Sequence, residues 1–205
     1  WPEPGVRVSV AAHAKVRASE LEQLKSTNRL RNVLAREAAA AEGAWEALLK
    51  TEEGELTEGT ISNLFCVLEG ELVTPPVERG LLPGILRGEL LAELSEREMP
   101  FTEARIDPGD LARASEVFLT NTSGRLIPVV EVIGVIAGLP GTQGQRWREL
   151  RGLFREREAR VRAAWEPACA PCPPISAKRP SCALAERLTA TRSWSSGTAP
   201  VAPPP

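Results

Sequence analysis

The 205-residue chain sets 25 lysines and arginines against 27 acidic residues, with a formal charge of −2 and a pI near 5.7. It has no basic excess to track a phosphate backbone, so nucleic acid is excluded as an expected partner. Its longest apolar stretch, around Ile133 to Leu139, is far too short for a bilayer, so no membrane contact is expected of what reads as a soluble protein.

The predicted elements run as follows. Gly5 to Val10 is a short strand with Val6, Val8 and Val10 on one face. Leu30, Val33, Leu34, Ala38 and Ala41 recur at helical spacing, and Gly43 stands where that helix stops. Trp45–Lys50 and Glu55–Glu58 flank "TEEG" as a hairpin, and Asn63–Leu68 with Glu71–Thr74 form a second across "EG", ended by Pro75-Pro76. Pro83 precedes a helix from Gly84 to Glu98 that carries Ile85, Leu86, Leu90, Leu91 and Leu94. There follow a strand near Phe101 to Ile106, a short helix from Asp110 to Ala114, strands at Val117–Asn121 and Ile127–Ile133, and a charged helix from about Gln145 to Ala164. Strands interspersed with helices make this an α/β or α+β domain over residues 1–165.

From Trp165 the composition changes. "PACAPCPPISAKRPSC" and "SSGTAPVAPPP" predict a disordered tail over 166–205, rich in proline, alanine and serine. The chain opens on Trp1 with a strand already at Gly5, and this is read as a fragment lacking upstream sequence. No basic segment followed by an apolar one opens it as a secretory signal would. Cys66 lies in an apolar run, while Cys169, Cys172 and Cys182 crowd into the tail, so no disulfide framework is expected and a reducing cytoplasm is the default compartment. The CxxC at Cys169 and Cys172 has Cys182 as its one nearby third ligand, and His13 is the sole histidine. No metal site is expected.

Taken alone, Lys25 is an ordinary solvated cation near a helix start, and Glu58 one glutamate among many at a strand end. Their setting changes the reading. "KSTNRLRNVLAREAAAAEG", "LTEGTISNLFCVLEGELVTPP", "LLPGILRGELL" and "EVFLTNTSGRLIPV" follow one another in order. Over about Gly5 to Gly134 this series resembles the large C-terminal domain of the class IV, or fold-type IV, pyridoxal-phosphate enzymes. These include the branched-chain and D-amino-acid aminotransferases and the aminodeoxychorismate lyases. The resemblance implies a mixed-sheet pseudo-barrel with flanking helices, from which the small N-terminal domain is missing. It also implies pyridoxal 5′-phosphate as cofactor and a homodimeric parent acting on small amino-acid-type substrates.

By position, the resemblance makes Lys25 the Schiff-base lysine and proton shuttle, for which partial burial is expected, so that the amine is neutral when it attacks. Glu58 matches the carboxylate that keeps the pyridine nitrogen protonated. The amides of Ile85 and Leu86, at a helix N-terminus, match the phosphate site, with Thr122 adding a hydroxyl. Leu86 departs from the threonine most common there, which removes one hydroxyl contact. Arg29 is the expected substrate-binding residue: "KxxNRL" is similar to aminodeoxychorismate lyases, which eliminate pyruvate to leave 4-aminobenzoate for folate synthesis. A branched-chain or D-amino-acid aminotransferase is the alternative. A non-catalytic remnant is the second, in which the fold survives as an interaction module and "APVAPPP" recruits a partner. Without the upstream domain to exclude water, the chain as given is expected to be weakly active or inactive.

Overall fold

The computed structural model describes residues 1–15 and 20–165. Strand β1 (Val6–Lys15) runs five residues beyond the alternating valines. Its alanine-rich continuation has little strand propensity of its own. Parallel pairing with β2 (Glu46–Thr51) holds it, reaching Ala14↔Lys50 and Lys15↔Thr51 past an irregularity after Val10. Between them lie a single 3-10 turn (Glu20–Gln23) and helix α1 (Leu30–Ala41). Gly43, at φ +76°, takes the left-handed conformation that ends the helix as expected.

Both hairpins form. β2 pairs with β3 (Leu56–Gly59), and β4 (Asn63–Leu68) with β5 (Glu71–Thr74). The second turns on Glu69 and Gly70, both at positive φ, the handedness that matches the twist of its strands. Helix α2 spans Ile85–Glu96, β6 is only Phe101–Glu103, and β7 (Glu116–Asn121) and β8 (Arg125–Val132) follow. Helix α3 (Pro108–Leu111) begins before the expected Asp110. Pro108 is its first residue, and the Asp107 and Asp110 side chains each accept from the other's backbone N–H. β9 (Ile136–Ala137) and α4 (Gln145–Trp165) complete the described elements.

The strand order β3-β2-β1-β8-β7-β4 closes on itself, because β3 also pairs with β4 at Glu58↔Asn63. Six strands thus form a ring, parallel on both sides of β1 and antiparallel elsewhere. This is the mixed pseudo-barrel with flanking helices anticipated from the sequence.

Alternation along β4 sorts two cores. Leu64 and Cys66 pack with Val8, Leu48, Leu119 and Ile127 from the other strands. Phe65 and Val67 face outward to Phe118 and to Leu90, Leu94, Trp147, Leu150 and Phe154 of α2 and α4. Phe65 and Phe118 stack with ring centroids 5.5 Å apart, and burial of each such side chain contributes about 1.5–3 kcal/mol.

Helix α1 departs from its sequence pattern. It lays Ala39 against Ala11, Ala44, Ala47 and Leu49, while Leu30, Val33 and Leu34 remain 66%, 53% and 56% exposed.

Residues Trp1–Ala159 form one compact unit and a second begins at Arg160, of which only the last turns of α4 are described. The expected disordered tail, its CxxC and the 165/166 boundary lie outside the described residues. Among the described residues, no group of His, Cys, Asp and Glu could hold a metal ion. No described helix is long and apolar enough to cross a membrane.

Candidate active site

The turn from β3 to β4, "EGTISN", is built on a buried acid. Glu46 of β2 has no exposed surface. Its Oε1 accepts from the Ala47 N–H at 3.0 Å and from the Thr60 hydroxyl, and its Oε2 from the Ile61 N–H at 3.2 Å and the Ser62 hydroxyl at 3.0 Å. The Arg36 guanidinium, itself over the Trp45 ring, lies 3.9 Å away and offsets the charge. Four donors on one carboxylate fix a turn that would otherwise be free to flex. Gly59 is required inside it, since a Cβ there would stand 2.2 Å from Ser62 Oγ and 2.9 Å from Glu46 Oε2.

That turn presents Glu58 and Asn63, which are paired across the strands. Both are buried and both reach the segment before α2. Glu58 Oε2 accepts from the Leu82 N–H at 2.9 Å, and Asn63 Nδ2 donates to the Leu82 carbonyl at 2.9 Å. The backbone at Gly84 then passes so close to Asn63 that a Cβ would lie 2.0 Å from Oδ1. Gly84 caps α2 with no side-chain hydrogen bond, and the first turn of α2 contains no acid. The amides of Ile85 and Leu86 therefore stand at a helix start with no acidic side chain in its own first turn.

Facing them is the turn after β7. Asn121 Oδ1 accepts from the N–H groups of Ser123 at 3.1 Å and Gly124 at 2.6 Å, which folds the turn that exposes Thr122.

Lys25, Glu58, Asn63, Gly84, Ile85, Leu86, Thr120 and Thr122 line one cleft of about 390 Å³. A larger groove of about 1080 Å³, between α1 and β1, adjoins it; Ser26, Arg29 and Glu58 line both. Arg29 is half-buried, its Nη2 donating to the Thr60 carbonyl at 3.0 Å beside Asn32 Nδ2 at 2.9 Å. All six residues singled out from the sequence thus border the smaller cleft.

One expectation is corrected: Lys25 is exposed, not partly buried. Its loop crosses the rim between cleft and groove, and the backbone bonds Ser26 N–H to Leu24 O and Arg29 N–H to Thr27 O turn it locally without carrying it into a core. Sequence reading missed Glu46, Asn63 and Thr120. Only the short "TISN" run after "TEG", dense in hydroxyls and amides between two strands, signalled that this turn needs a buried partner.

An amine, a carboxylate and an uncapped helix start on one cleft can together hold a carbonyl, a protonated ring nitrogen and an anion. The amino-transferase class IV family model matches residues 2–132. D-alanine aminotransferase of Bacillus licheniformis is 35% identical over 120 residues, 58% of this chain and 42% of that protein. The solved 4-amino-4-deoxychorismate lyase from Pseudomonas aeruginosa has 31% identity and a TM-score of 0.67, over 76% of this chain and 58% of that one. The T.th. branched-chain amino acid aminotransferase, complexed with N-(5′-phosphopyridoxyl)-L-glutamate, has 30% identity and a TM-score of 0.68, over 75% of this chain and 51% of that one. The chain spans about half the length of the curated relatives it matches.

Proposed function

The chain belongs to the class IV aminotransferases, a family of pyridoxal-phosphate-dependent enzymes, and from that premise we propose that its smaller cleft binds pyridoxal 5′-phosphate. The observation that carries this is the convergence of Lys25, Glu58, the α2 start and Thr122 on that cleft. The residues suit the group: the uncapped helix start offers amides to a phosphate, Glu58 offers a carboxylate to a ring nitrogen, and Lys25 offers a primary amine. When bound, the cofactor supplies an aldehyde that captures amines and a ring that draws electrons from the captured substrate.

Around it the chain's residues divide the work. Lys25 Nζ is the attachment point and afterwards carries the proton taken from the substrate Cα. Glu58, held by the Leu82 N–H, keeps its charge directed into the cleft. The Ile85 and Leu86 amides and the Thr122 hydroxyl hold the phosphate. Arg29, anchored on the Thr60 carbonyl between cleft and groove, presents a fixed guanidinium to a substrate carboxylate.

The reaction we assign is pyruvate elimination from 4-amino-4-deoxychorismate, in a homodimeric cytoplasmic parent. The run "KSTNRLRNVLAR" and the likeness to a solved lyase support it. Amino transfer is the second reading, favoured by the likeness to D-alanine aminotransferase.

The test is an assay of a polypeptide extended to the relatives' full length, with the cofactor present. Release of 4-aminobenzoate and pyruvate, lost in Lys25→Ala, is expected. Keto-acid formation from D-alanine or a branched-chain amino acid, without 4-aminobenzoate, would move the assignment to amino transfer. No turnover of any of these would overturn the catalytic reading.

A further inference from the structure

Strand threonines that are buried normally spend their hydroxyls on a nearby carbonyl, and two here do so. Thr57 donates to the Leu49 carbonyl at 3.2 Å and Thr74 to the Leu64 carbonyl at 2.7 Å. Thr120 does not. It is 1% exposed, and its Oγ1 has no hydrogen-bond partner. β7 lies between β4 and β8, pairing Thr120 with Asn63 on one side and Leu126 on the other. A buried hydroxyl left without a partner destabilises the fold, because the hydrogen bonds it made to water are not replaced. Thr51 Oγ1 is orphaned too, but it borders neither the cleft nor the groove.

The side of the sheet on which Thr120 stands gives its hydroxyl a use. Thr120 and Asn63 are directly opposed in an antiparallel pair, so their side chains share a face. It is the face of Phe65 and Phe118, toward α2, and from it Asn63 reaches Leu82 and Gly84. Thr120 lines the cleft together with Gly84, Ile85 and Leu86. The first turn of α2 brings amides but no hydroxyl, since Ile85, Leu86 and Arg87 follow the cap. An anion there is met by N–H groups from one side, and Thr120 lines the same cleft with a donor that has no partner.

We infer that Thr120 is a further binding residue of this cleft, its hydroxyl donating to the phosphate group of the ligand seated at the α2 start. The inference rests on the cofactor reading above and deepens it. The hydroxyl is held in reserve, unpaired in the free protein and paired when the ligand arrives, so its cost to the fold is recovered as affinity.

Thr120→Val, which keeps the shape and removes the hydroxyl, separates this role from a structural one. Three quantities are read on the chain, its Thr120→Val variant and its Thr120→Ser variant: thermal midpoint without ligand, and the dissociation constants of pyridoxal 5′-phosphate and of pyridoxal, followed by absorbance. The valine variant should melt at the same temperature or higher, bind pyridoxal 5′-phosphate roughly 10- to 100-fold more weakly, and bind pyridoxal unchanged. Serine should restore the phosphate-dependent affinity. Equal affinity of valine variant and parent for pyridoxal 5′-phosphate would overturn the inference and leave the cofactor reading standing, as would a lowered midpoint with unchanged affinity. Equal weakening toward pyridoxal would place the hydroxyl at the ring and overturn the phosphate assignment. No saturable binding of pyridoxal 5′-phosphate to the parent chain would overturn both readings.

Discussion

A carboxylate with no exposed surface must have its charge met by the protein, and Glu46 shows how a single side chain can hold a site it does not line. Its donors are the Thr60 and Ser62 hydroxyls and the Ile61 amide, the residues that set the direction of Glu58 and Asn63. Glu46→Ala should cost at least about 1–3 kcal/mol in denaturant unfolding, because it orphans buried donors. Hydrogen exchange at Ile61 should quicken with it. Unchanged exchange at Ile61 would show that the turn holds its shape without the acid. In the sequence Glu46 is one glutamate among many, and nothing local marks it, since three of its four donors lie 14 to 16 residues on and the fourth is a backbone N–H. Lys25 was legible by its motif but its exposure was not, because burial depends on what the rest of the chain places over a loop.

At the scale of elements, the start of α2 is the most constrained joint. Gly84→Ala would drive a Cβ to 2.0 Å from Asn63 Oδ1, so either the Asn63–Leu82 hydrogen bond breaks or the helix start shifts. The expected outcome is a loss of about 1–3 kcal/mol together with weakened phosphate-ligand binding. An alanine variant with unaltered ligand affinity would mean that the helix start does not contact the anion. Local signals placed most helices and strands well, and the hairpin turns above all, because turn residues act over four positions. They failed where a signal was overlooked or where neighbours decide. The "DPGD" run already holds the proline and the paired aspartates that start α3 at Pro108. Helix α1 has a clear apolar period, yet periodicity fixes only which residues share a face, and here the face that packs is the alanine one.

Closure of the six-strand ring belongs to the whole molecule. The described pairing of β3 with β4 rests on Glu58↔Asn63, so the strands that complete the barrel also carry the site. No spacing in the sequence announces that pairing; the family resemblance implied the barrel and the local pattern did not. Cys66 lies inside this ring, where burial pushes its thiol from 9.0 up to about 12. The unfolded chain sheds that proton near 9 and the folded one only near 12. Stability from the neutral thiol is therefore full below 9 and falls as pH rises toward 12, by about 1.4 kcal/mol per pH unit at most. Cys66→Ser should flatten this alkaline slope in pH-dependent unfolding, and an unaltered slope would place its origin elsewhere. At the acid end, the hydrogen bond from Arg7 holds the half-buried Glu131 carboxyl below its ordinary range. That contribution is present above the ordinary carboxylate value and is lost as pH falls through the lowered one. Arg7→Ala should remove a small acid-side loss of stability.

The most direct test of the cofactor site is borohydride reduction of the chain with pyridoxal 5′-phosphate, followed by peptide mass spectrometry. A stoichiometric pyridoxyl adduct confined to Lys25, abolished in Lys25→Ala, is the predicted result. Labelling spread over Lys15, Lys25, Lys50 and Lys178, no greater than on the denatured chain, would contradict it.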